Sequence, residues 1–466
     1  MINLAFDLPD LPLGPIAAVD GEVHLVGSKS LTNRALLLSA LSQGRTTLTN
    51  ILRSDDSKVM LEALRQLGVK VIEDQADPTT VTIEGVGGPF VTAASPTAPI
   101  KLFLGNAGTA MRPLCAALAL SCGTFELTGE PRMYERPIGI LVDALRTLGA
   151  KVEYLGTEGY PPLRITGIGQ PGGAAAETDA GSVGGAARAP ATVAVAGNTS
   201  SQFITALLMV GALLPNGLKL QVQGELISKP YVAMTCALLQ RFGVSVGNHD
   251  FASFELAPQQ LKSPGSYLVE GDASGATYFL AAAAIAGSVT VKGVGSGSLQ
   301  GDAHFIEVLA QMGAHTEIGP DYLKVSQAPL KGIDLDLNDM PDAAMTLVPM
   351  ALFTSGPIAI RNIGSWRVKE TDRIAALACE MRKLGCAVEE GPDYIVVDGN
   401  TDACRQICSD LSRVIAFDTY NDHRMAMALS LVALARPVII NDYRCCAKTF
   451  PDYFERFAAL AQPRTE

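Results

Sequence analysis

The hydrophobic positions of this chain fall into two alternating patterns. In the first, a small or polar residue opens an apolar run that stops at a Gly, Pro or Gln-Gly break and leads into a β-rich stretch. It occurs in SLTNRALLLSALSQGRTTLTNI, TAMRPLCAALALSCGTFELTGE, SQFITALLMVGALLPNGLKLQVQGE, DASGATYFLAAAAIAGSVTVKGV, DAAMTLVPMALFTSGPIAIRNI and DHRMAMALSLVALARPVIINDY. The runs start at Ser30, Thr109, Ser201, Asp272, Asp342 and Asp422, at intervals of 79, 92, 71, 70 and 80. They are apolar nearly all round, which predicts six buried helices, and each opens on a residue type suited to an N-cap.

The second pattern is an amphipathic helix, a glycine and a short strand. Met60, Ala63, Leu64 and Leu67 lie at i, i+3, i+4 and i+7, as do Leu141, Ala144, Leu145 and Leu148, and Phe305, Val308, Leu309 and Met312. That spacing predicts one covered helix face. Gly68, Gly149, Gly243, Gly313 and Gly385 follow at the place of a helix C′ residue, and DYFERFAALAQ reads as a truncated sixth copy. Six copies of an alternating unit predict two similar globular domains of three units each. The predicted boundaries make residues 22–265 a domain inserted into one formed by 1–21 and 266–466. The stretch 172–195, GGAAAETDAGSVGGAARAPATVAV, is Ala/Gly-rich and aperiodic and reads as a mobile, non-catalytic surface insertion.

Composition narrows the class. The 466 residues are 48% hydrophobic and only 18% charged, which excludes a disordered chain and requires large cores. The net charge of −11 excludes a diffuse positive field for nucleic acid, so an anion must be held by a local basic cluster. Nine cysteines without a C-x-x-C pair predict reduced thiols and no metal site. Cys404 and Cys408 have no partner pair at zinc spacing. No segment is long and apolar enough to span a membrane, and the N-terminus MINLAFDLPDLPLG has no leader pattern. A soluble cytoplasmic protein is expected.

Several of the buried-helix starts carry cations: Lys29 and Arg34, then Arg112, then His423 and Arg424 beside Asp422. Bases avoid helix N-termini, where the macrodipole is already positive. Gathered there, they predict anion binding between helix ends with backbone N–H groups.

Ten motifs now stand in order along the chain: GSKSLTNRALLLSAL, LGNAGTAMRPL, GEPRMYERPIG, SSQFITALL, ISKPY, EGDASG, PDAAMT, WRVKETDRI, YNDHRMAM and AKTFPDY. Together the chain resembles the EPSP synthase (3-phosphoshikimate 1-carboxyvinyltransferase) family, of the glyphosate-sensitive type. The resemblance implies an α/β, enolpyruvyl transferase-like fold: two similar domains, each of three repeated βαβαββ units with buried parallel helices. It implies transfer of the enolpyruvyl group of phosphoenolpyruvate to the 5-hydroxyl of shikimate 3-phosphate by a monomer, without metal or other cofactor. Glyphosate would be an inhibitor.

The resemblance also implies roles. Asp342, Glu370 and Lys29 would be catalytic, Asp342 as base for the 5-hydroxyl. Lys29, Ser30, Arg34, Ser200, Ser201, Gln202, Ser228, Tyr231, Asp342, Ser365 and Lys369 would hold shikimate 3-phosphate. Lys29, Gly108, Arg136, Gln202, Arg373, Arg424 and Lys448 would hold phosphoenolpyruvate. Asp272, Asp372 and His423 would position neighbours. Ser365 stands where many members have Asn, Tyr134 where Lys is common, and Gly275 where Ser is common. Two rivals remain at this point. One is the UDP-N-acetylglucosamine enolpyruvyl transferase, against which PRMYERP lacks a loop cysteine. The other is a non-catalytic scaffold, against which the cations and carboxylates speak.

Overall fold

The computed structural model describes residue 4 and residues 6–169 and 189–464. The chain divides into two compact units, Lys29–Val269 and the remainder, Met1–Ser28 with Glu270–Glu466. The breaks therefore lie at 28/29 and 269/270, not at 21/22 and 265/266. The physical reason is strand pairing. Ile16–His24 is one strand that runs through the expected boundary and pairs with Gly287–Lys292. Ser266–Leu268 belongs instead to the unit of Lys29–Val269, where it pairs with Gln43–Thr49.

One unit of the repeat runs Ile100–Phe103, helix Gly108–Leu120, Thr124–Thr128, helix Gly139–Thr147, Lys151–Tyr154 and Leu163–Thr166. The first two strands are parallel and the hairpin adds antiparallel, so the sequence order is βαβαββ. The strand Ala191–Ala196 opens the next unit, parallel to Leu218–Gln223. In the first unit the opening strand is supplied by Ser266–Leu268, and in the fourth by Ile16–His24. The two crossings of the chain thus exchange the opening strands of two repeats. The sixth unit is reduced: Val438–Ile440 lies between Ile415–Phe417 and Leu11–Leu13 in a three-stranded sheet. Its helix Tyr453–Leu460 leads to Ala461–Pro463, which pairs with Ile16–His24.

The apolar runs are the cores. In the helix Ala273–Ile285 every residue from Ala273 to Ala284 is buried, and Lys29–Leu41, Gly108–Leu120 and Ser201–Gly211 are buried almost throughout. The last two runs are not continuous α-helices. Each is a short α-helix joined to a 3₁₀ turn: Ala343–Thr346 with Leu347–Met350, and His423–Leu429 with Ser430–Leu434. Pro349 lacks a backbone N–H and limits the first of them. The amphipathic helices end as the sequence predicts, with Gly68, Gly149, Gly243, Gly313 and Gly385 at φ of 86°, 98°, 78°, 112° and 75°.

The six starts do not all cap. Asp272 accepts from Gly275 N and Asp422 from Arg424 N. The cap of Ser201–Gly211 is Ser200, one residue earlier than expected. Ser30 and Thr109 lie inside helices that begin at Lys29 and Gly108, and Asp342 makes no side-chain cap. Capping therefore does not account for Ser30, Thr109 or Asp342. The proposed insertion also needs correction. Residues 172–188 lie outside the described residues, but Ala191–Ala196 is strand, with Val193 and Val195 buried. Among the described residues, no helix is long and apolar enough to cross a membrane, and no group of His, Cys, Asp or Glu could hold a metal ion.

Candidate active site

Each unit carries its own cluster of the charged residues singled out in the sequence. In the unit Lys29–Val269, helix starts supply the groups. Lys29, at the first position of its helix, lies 3.7 Å from the Asp56 carboxylate, and both are buried. Arg34 is buried one turn on. Its Nε donates to Thr235 Oγ1 (2.9 Å), Nη1 to the Ser30 carbonyl (2.9 Å) and Nη2 to the Tyr231 carbonyl (3.5 Å). Burial lowers its pKa to about 10, and it remains a cation at neutral pH. Thr235 also meets Thr205 at 3.3 Å, which ties the helices Ser201–Gly211 and Lys229–Arg241 to Arg34. Asn33 Nδ2 donates to Thr109 Oγ1 (2.7 Å), so Thr109 serves the junction of two buried helices rather than a cap.

Gly108 and Arg136 come together. Arg136 is buried, and its Nη1 donates to the carbonyl and the Oδ1 of Asn106, each at 2.9 Å. A Cβ at Gly108 would stand 2.9 Å from Arg136 Nη2 and 2.8 Å from Arg112 Nη1. The space above Gly108 is thus lined by two guanidinium groups. Ser200 caps its helix through Gln202 N (3.3 Å), Ser201 is buried and Gln202 half-buried. Ser228 sits in a left-handed conformation (φ 55°) just before Lys229–Arg241, and Tyr231 follows in the first turn. Tyr134, where a lysine is common in the resembled pattern, accepts a hydrogen bond from Gly129 N at 3.4 Å.

In the other unit the charges interlock. Asp342 Oδ1 accepts from Arg373 Nη1 (2.8 Å) and lies 3.6 Å from Lys369, while its Oδ2 accepts from Arg424 Nη2 (2.9 Å). Glu370 lies between Arg373 Nη2 (3.1 Å) and Lys448 Nζ (3.3 Å). Arg373 also donates through Nε to Asp422 (2.8 Å), and Asp422 caps the helix of Arg424. Burial alone would lower the Arg373 pKa. The carboxylates of Asp422, Glu370 and Asp342 outweigh it, and the group is held above the ordinary arginine range. Arg373 and Asp422 are buried with fractional exposures of 1% and 0%, which is tolerable only because each meets the opposite charge.

The framework behind these groups is equally fixed. Trp366 Nε1 donates to the Pro341 carbonyl (2.7 Å), which pins the residue before Asp342. Asp372 caps Arg373–Lys383 through Ala375 N and binds Arg367 at 2.8–2.9 Å. His423 is fully buried, 3.6 Å from Asp422. Ser365 is half-buried in the turn Gly364–Val368. Sequence reasoning gave no role to Asp56 or to Asp422 beyond a helix start. Asp422 was visible as the acid before His423-Arg424. Asp56 sits in the first turn of an ordinary amphipathic helix, and nothing in that pattern points to Lys29.

The two clusters differ in chemistry. Arg34 and Arg136 hydrogen-bond to neutral oxygens, so their positive charge can neutralise an anion. The cations of the second cluster already hold carboxylates, an arrangement suited to proton transfer beside bound anions. The EPSP synthase (3-phosphoshikimate 1-carboxyvinyltransferase) family model matches residues 13–457. The chain belongs to this family. It is 53% identical over 458 residues to a 3-phosphoshikimate 1-carboxyvinyltransferase of Shewanella denitrificans, covering 98% of this chain and 100% of that one. It is 52% identical over the same length to the Vibrio cholerae enzyme of that name, again at 98% and 100%. Among solved structures, EPSP synthase from Acinetobacter baumannii superposes with a TM-score of 0.74 at 23% identity, covering 97% of this chain and 98% of that one. The enolpyruvyl transferase NikO from Streptomyces tendae gives 0.68 at 16% identity, with 97% and 98% covered. These two likenesses carry the enolpyruvyl transferase fold, and the close relatives carry the activity.

Proposed function

We propose that the enolpyruvyl transfer catalysed by this EPSP synthase family member runs through the two clusters described above. Phosphoenolpyruvate gives its enolpyruvyl group to the 5-hydroxyl of shikimate 3-phosphate, and phosphate leaves. Arg34, Ser30, Ser200, Ser201, Gln202, Ser228 and Tyr231, with Ser365 and Lys369, hold the sugar-acid phosphate. Lys29, Gly108, Arg136, Gln202, Arg373, Arg424 and Lys448 hold phosphoenolpyruvate. Arginine forks both oxygens of a carboxylate or phosphate, which suits a substrate with both groups.

In the first step Glu370, in its protonated form, gives a proton to the enol methylene carbon, and the 5-hydroxyl oxygen attacks the adjacent carbon as Asp342 takes its proton. The tetrahedral intermediate then loses phosphate, which carries off the proton held by Asp342, and Glu370 takes a proton back from the new methyl group to restore the double bond. Lys29 neutralises the departing phosphate. The observation that carries the reading is the interlock of Asp342 and Glu370 with Arg373, Arg424 and Lys448: two carboxylates and three cations at fixed distances of 2.8–3.3 Å. A substrate carboxylate that takes up Arg373 and Arg424 competes with Asp342 for them and frees Asp342 to accept a proton.

We further infer a cytoplasmic monomer, consistent with nine unpaired thiols, and inhibition by glyphosate in competition with phosphoenolpyruvate. The test is phosphate release with both substrates and with either omitted. Release only with both supports the transfer. Release from phosphoenolpyruvate alone overturns it.

A further inference from the structure

The chain enters the helix of Arg424 through a turn with an unusual backbone. Asp422 N donates to the Thr419 carbonyl at 2.9 Å, and the two residues between them, Tyr420 and Asn421, both take the left-handed conformation, at φ of 54° and 53°. Asparagine tolerates that conformation, but a bulky side chain in it is an outlier that something must hold. Core packing does not hold Tyr420, since 40% of its surface is exposed. Its hydroxyl does, by donating to Glu380 Oε1 at 2.7 Å.

Glu380 is a carboxylate that the reaction above does not use. It is fully buried, which a glutamate sustains only when its oxygens are paired. Asp418 N donates to Glu380 Oε2 at 3.1 Å, and Lys383 Nζ lies 2.6 Å from the same oxygen. Lys383 also donates to the Ala416 carbonyl (3.2 Å) and to Asp418 Oδ2 (3.0 Å). Glu380 stands seven residues after Arg373, so both lie on one face of the helix Arg373–Lys383. Arg373 grips the far end of the turn, donating through Nε to Asp422 at 2.8 Å, and Asp422 caps the helix of Arg424. One helix face therefore fastens both ends of the segment 418–422.

We propose that Glu380 and Tyr420 are positioning residues for phosphoenolpyruvate: they clamp the turn in its left-handed form, and the turn sets Asp422 so that Arg373 and Arg424 are both aimed at the substrate. The inference rests on those two arginines as holders of phosphoenolpyruvate. A left-handed tyrosine without its anchor relaxes toward ordinary backbone, which displaces Asp422 and with it the start of the helix His423–Leu429. Substrate then binds only the fraction of molecules in which the turn is still formed, and its apparent affinity falls by that fraction. Most of the groups proposed for shikimate 3-phosphate belong to the other unit, so binding of that substrate should change little.

The test is steady-state kinetics and thermal melting of the full chain with Tyr420→Phe, Glu380→Gln and both together. Tyr420→Phe should raise the Michaelis constant for phosphoenolpyruvate about threefold to tenfold and leave that for shikimate 3-phosphate within about twofold. Its melting temperature should stay within about 3 °C of the parent, because only one hydroxyl at the surface is lost. Glu380→Gln also gives up the charge that holds Lys383 and should raise the phosphoenolpyruvate constant further. The double variant should be no worse than Glu380→Gln alone, since both changes break the same contact. If Tyr420→Phe keeps the parental phosphoenolpyruvate constant, or if both Michaelis constants and the melting temperature move together, the turn is structural only and the inference falls. Should Glu380→Gln fail to fold, Tyr420→Phe decides by itself. Arg424→Ala with parental affinity for phosphoenolpyruvate would instead remove that arginine from the substrate, a separate failure.

Discussion

Asp342 lies against Lys369, Arg373 and Arg424 and makes no side-chain cap at its helix start, which supports its proposed part in proton transfer. Asp342→Asn keeps the shape but cannot take up a proton. Turnover should fall about 10²–10⁴-fold with Michaelis constants much less changed; steady-state kinetics on a folded variant, judged by circular dichroism, gives the answer. The resemblance sets Gly108 among the residues expected to hold phosphoenolpyruvate. What the sequence could not tell is that the guanidinium ends of Arg112 and Arg136 lie within 3 Å of the missing Cβ. Gly108→Ala must push Arg136 aside, so it should raise both the phosphoenolpyruvate Michaelis constant and the glyphosate inhibition constant. The longer inhibitor should suffer the larger factor. Equal factors, or an insensitive parent, would remove Gly108 from the inhibitor's contact. Asp302, buried in the 3₁₀ turn Gly301–His304, bears on stability with the opposite sign to the usual carboxylate. Burial pushes its folded pKa up to about 6, above the unfolded value of about 3.9. Its stabilising contribution is full at low pH and is lost as pH rises through 6. Asp302→Asn should therefore melt higher than the parent at pH 8, by a gain on the order of 1–3 kcal/mol that vanishes near pH 4.

At the scale of elements, the amphipathic helices were readable because one face alternates with solvent at a fixed period, and the C′ glycines follow from their left-handed φ. The last two apolar runs read as plain helices and are instead part 3₁₀, since uniform apolarity carries no information about hydrogen-bond register. Two differences have local causes. The first domain boundary is expected after Gly21, but that residue lies inside the strand Ile16–His24, where Leu460 packs so close that a Cβ would meet its Cδ2 at 2.8 Å. Ala191–Ala196 reads as the tail of a low-complexity stretch because its alternating Val193 and Val195 give too short a period-2 signal. A deletion of 172–195 would thus remove a strand. Deleting 172–188 alone should leave kcat within about twofold, whereas extending the cut to 196 should cost the fold of its sheet; thermal melts of the two deletions distinguish them. The helix Asp55–Gln66 is closed by a reciprocal pair, in which Ser54 Oγ accepts from Ser57 N and Ser57 Oγ from Ser54 N. Ser54→Ala should cost about 1 kcal/mol in a denaturant melt. Because that helix carries Asp56, the partner of Lys29, a loss of activity larger than the loss of stability would show that the helix start also holds the site.

At the scale of the whole molecule, local sequence can specify six similar units but not which strand completes which unit. Ser266–Leu268 precedes the helix Ala273–Ile285 in the chain, yet its partner is Gln43–Thr49 in the first repeat. This pairing decides what an independent folding unit is. Residues 29–269 contain their own opening strand and their own buried core, so this fragment should fold alone and unfold in one cooperative urea transition. It should not turn over substrate, because Asp342, Glu370, Arg373 and Lys448 are absent from it. A fragment ending at residue 264 is only slightly shorter but loses more than length. Thr47 N loses the Gly265 carbonyl (2.9 Å), Thr49 loses the Val269 N–H donor (3.0 Å), Asn50 loses the Val269 carbonyl (2.9 Å), and fully buried Val269 is gone. Burying one valine contributes about 1.5–3 kcal/mol and each of the three hydrogen bonds about 1 kcal/mol net, so the shorter fragment should be less stable by roughly 4.5–6 kcal/mol. Extrapolated unfolding free energies of the two fragments measure the difference. Equal stabilities would mean that the exchanged strand is an ornament of the first sheet rather than its edge, and that the boundary of the folding unit lies earlier in the chain.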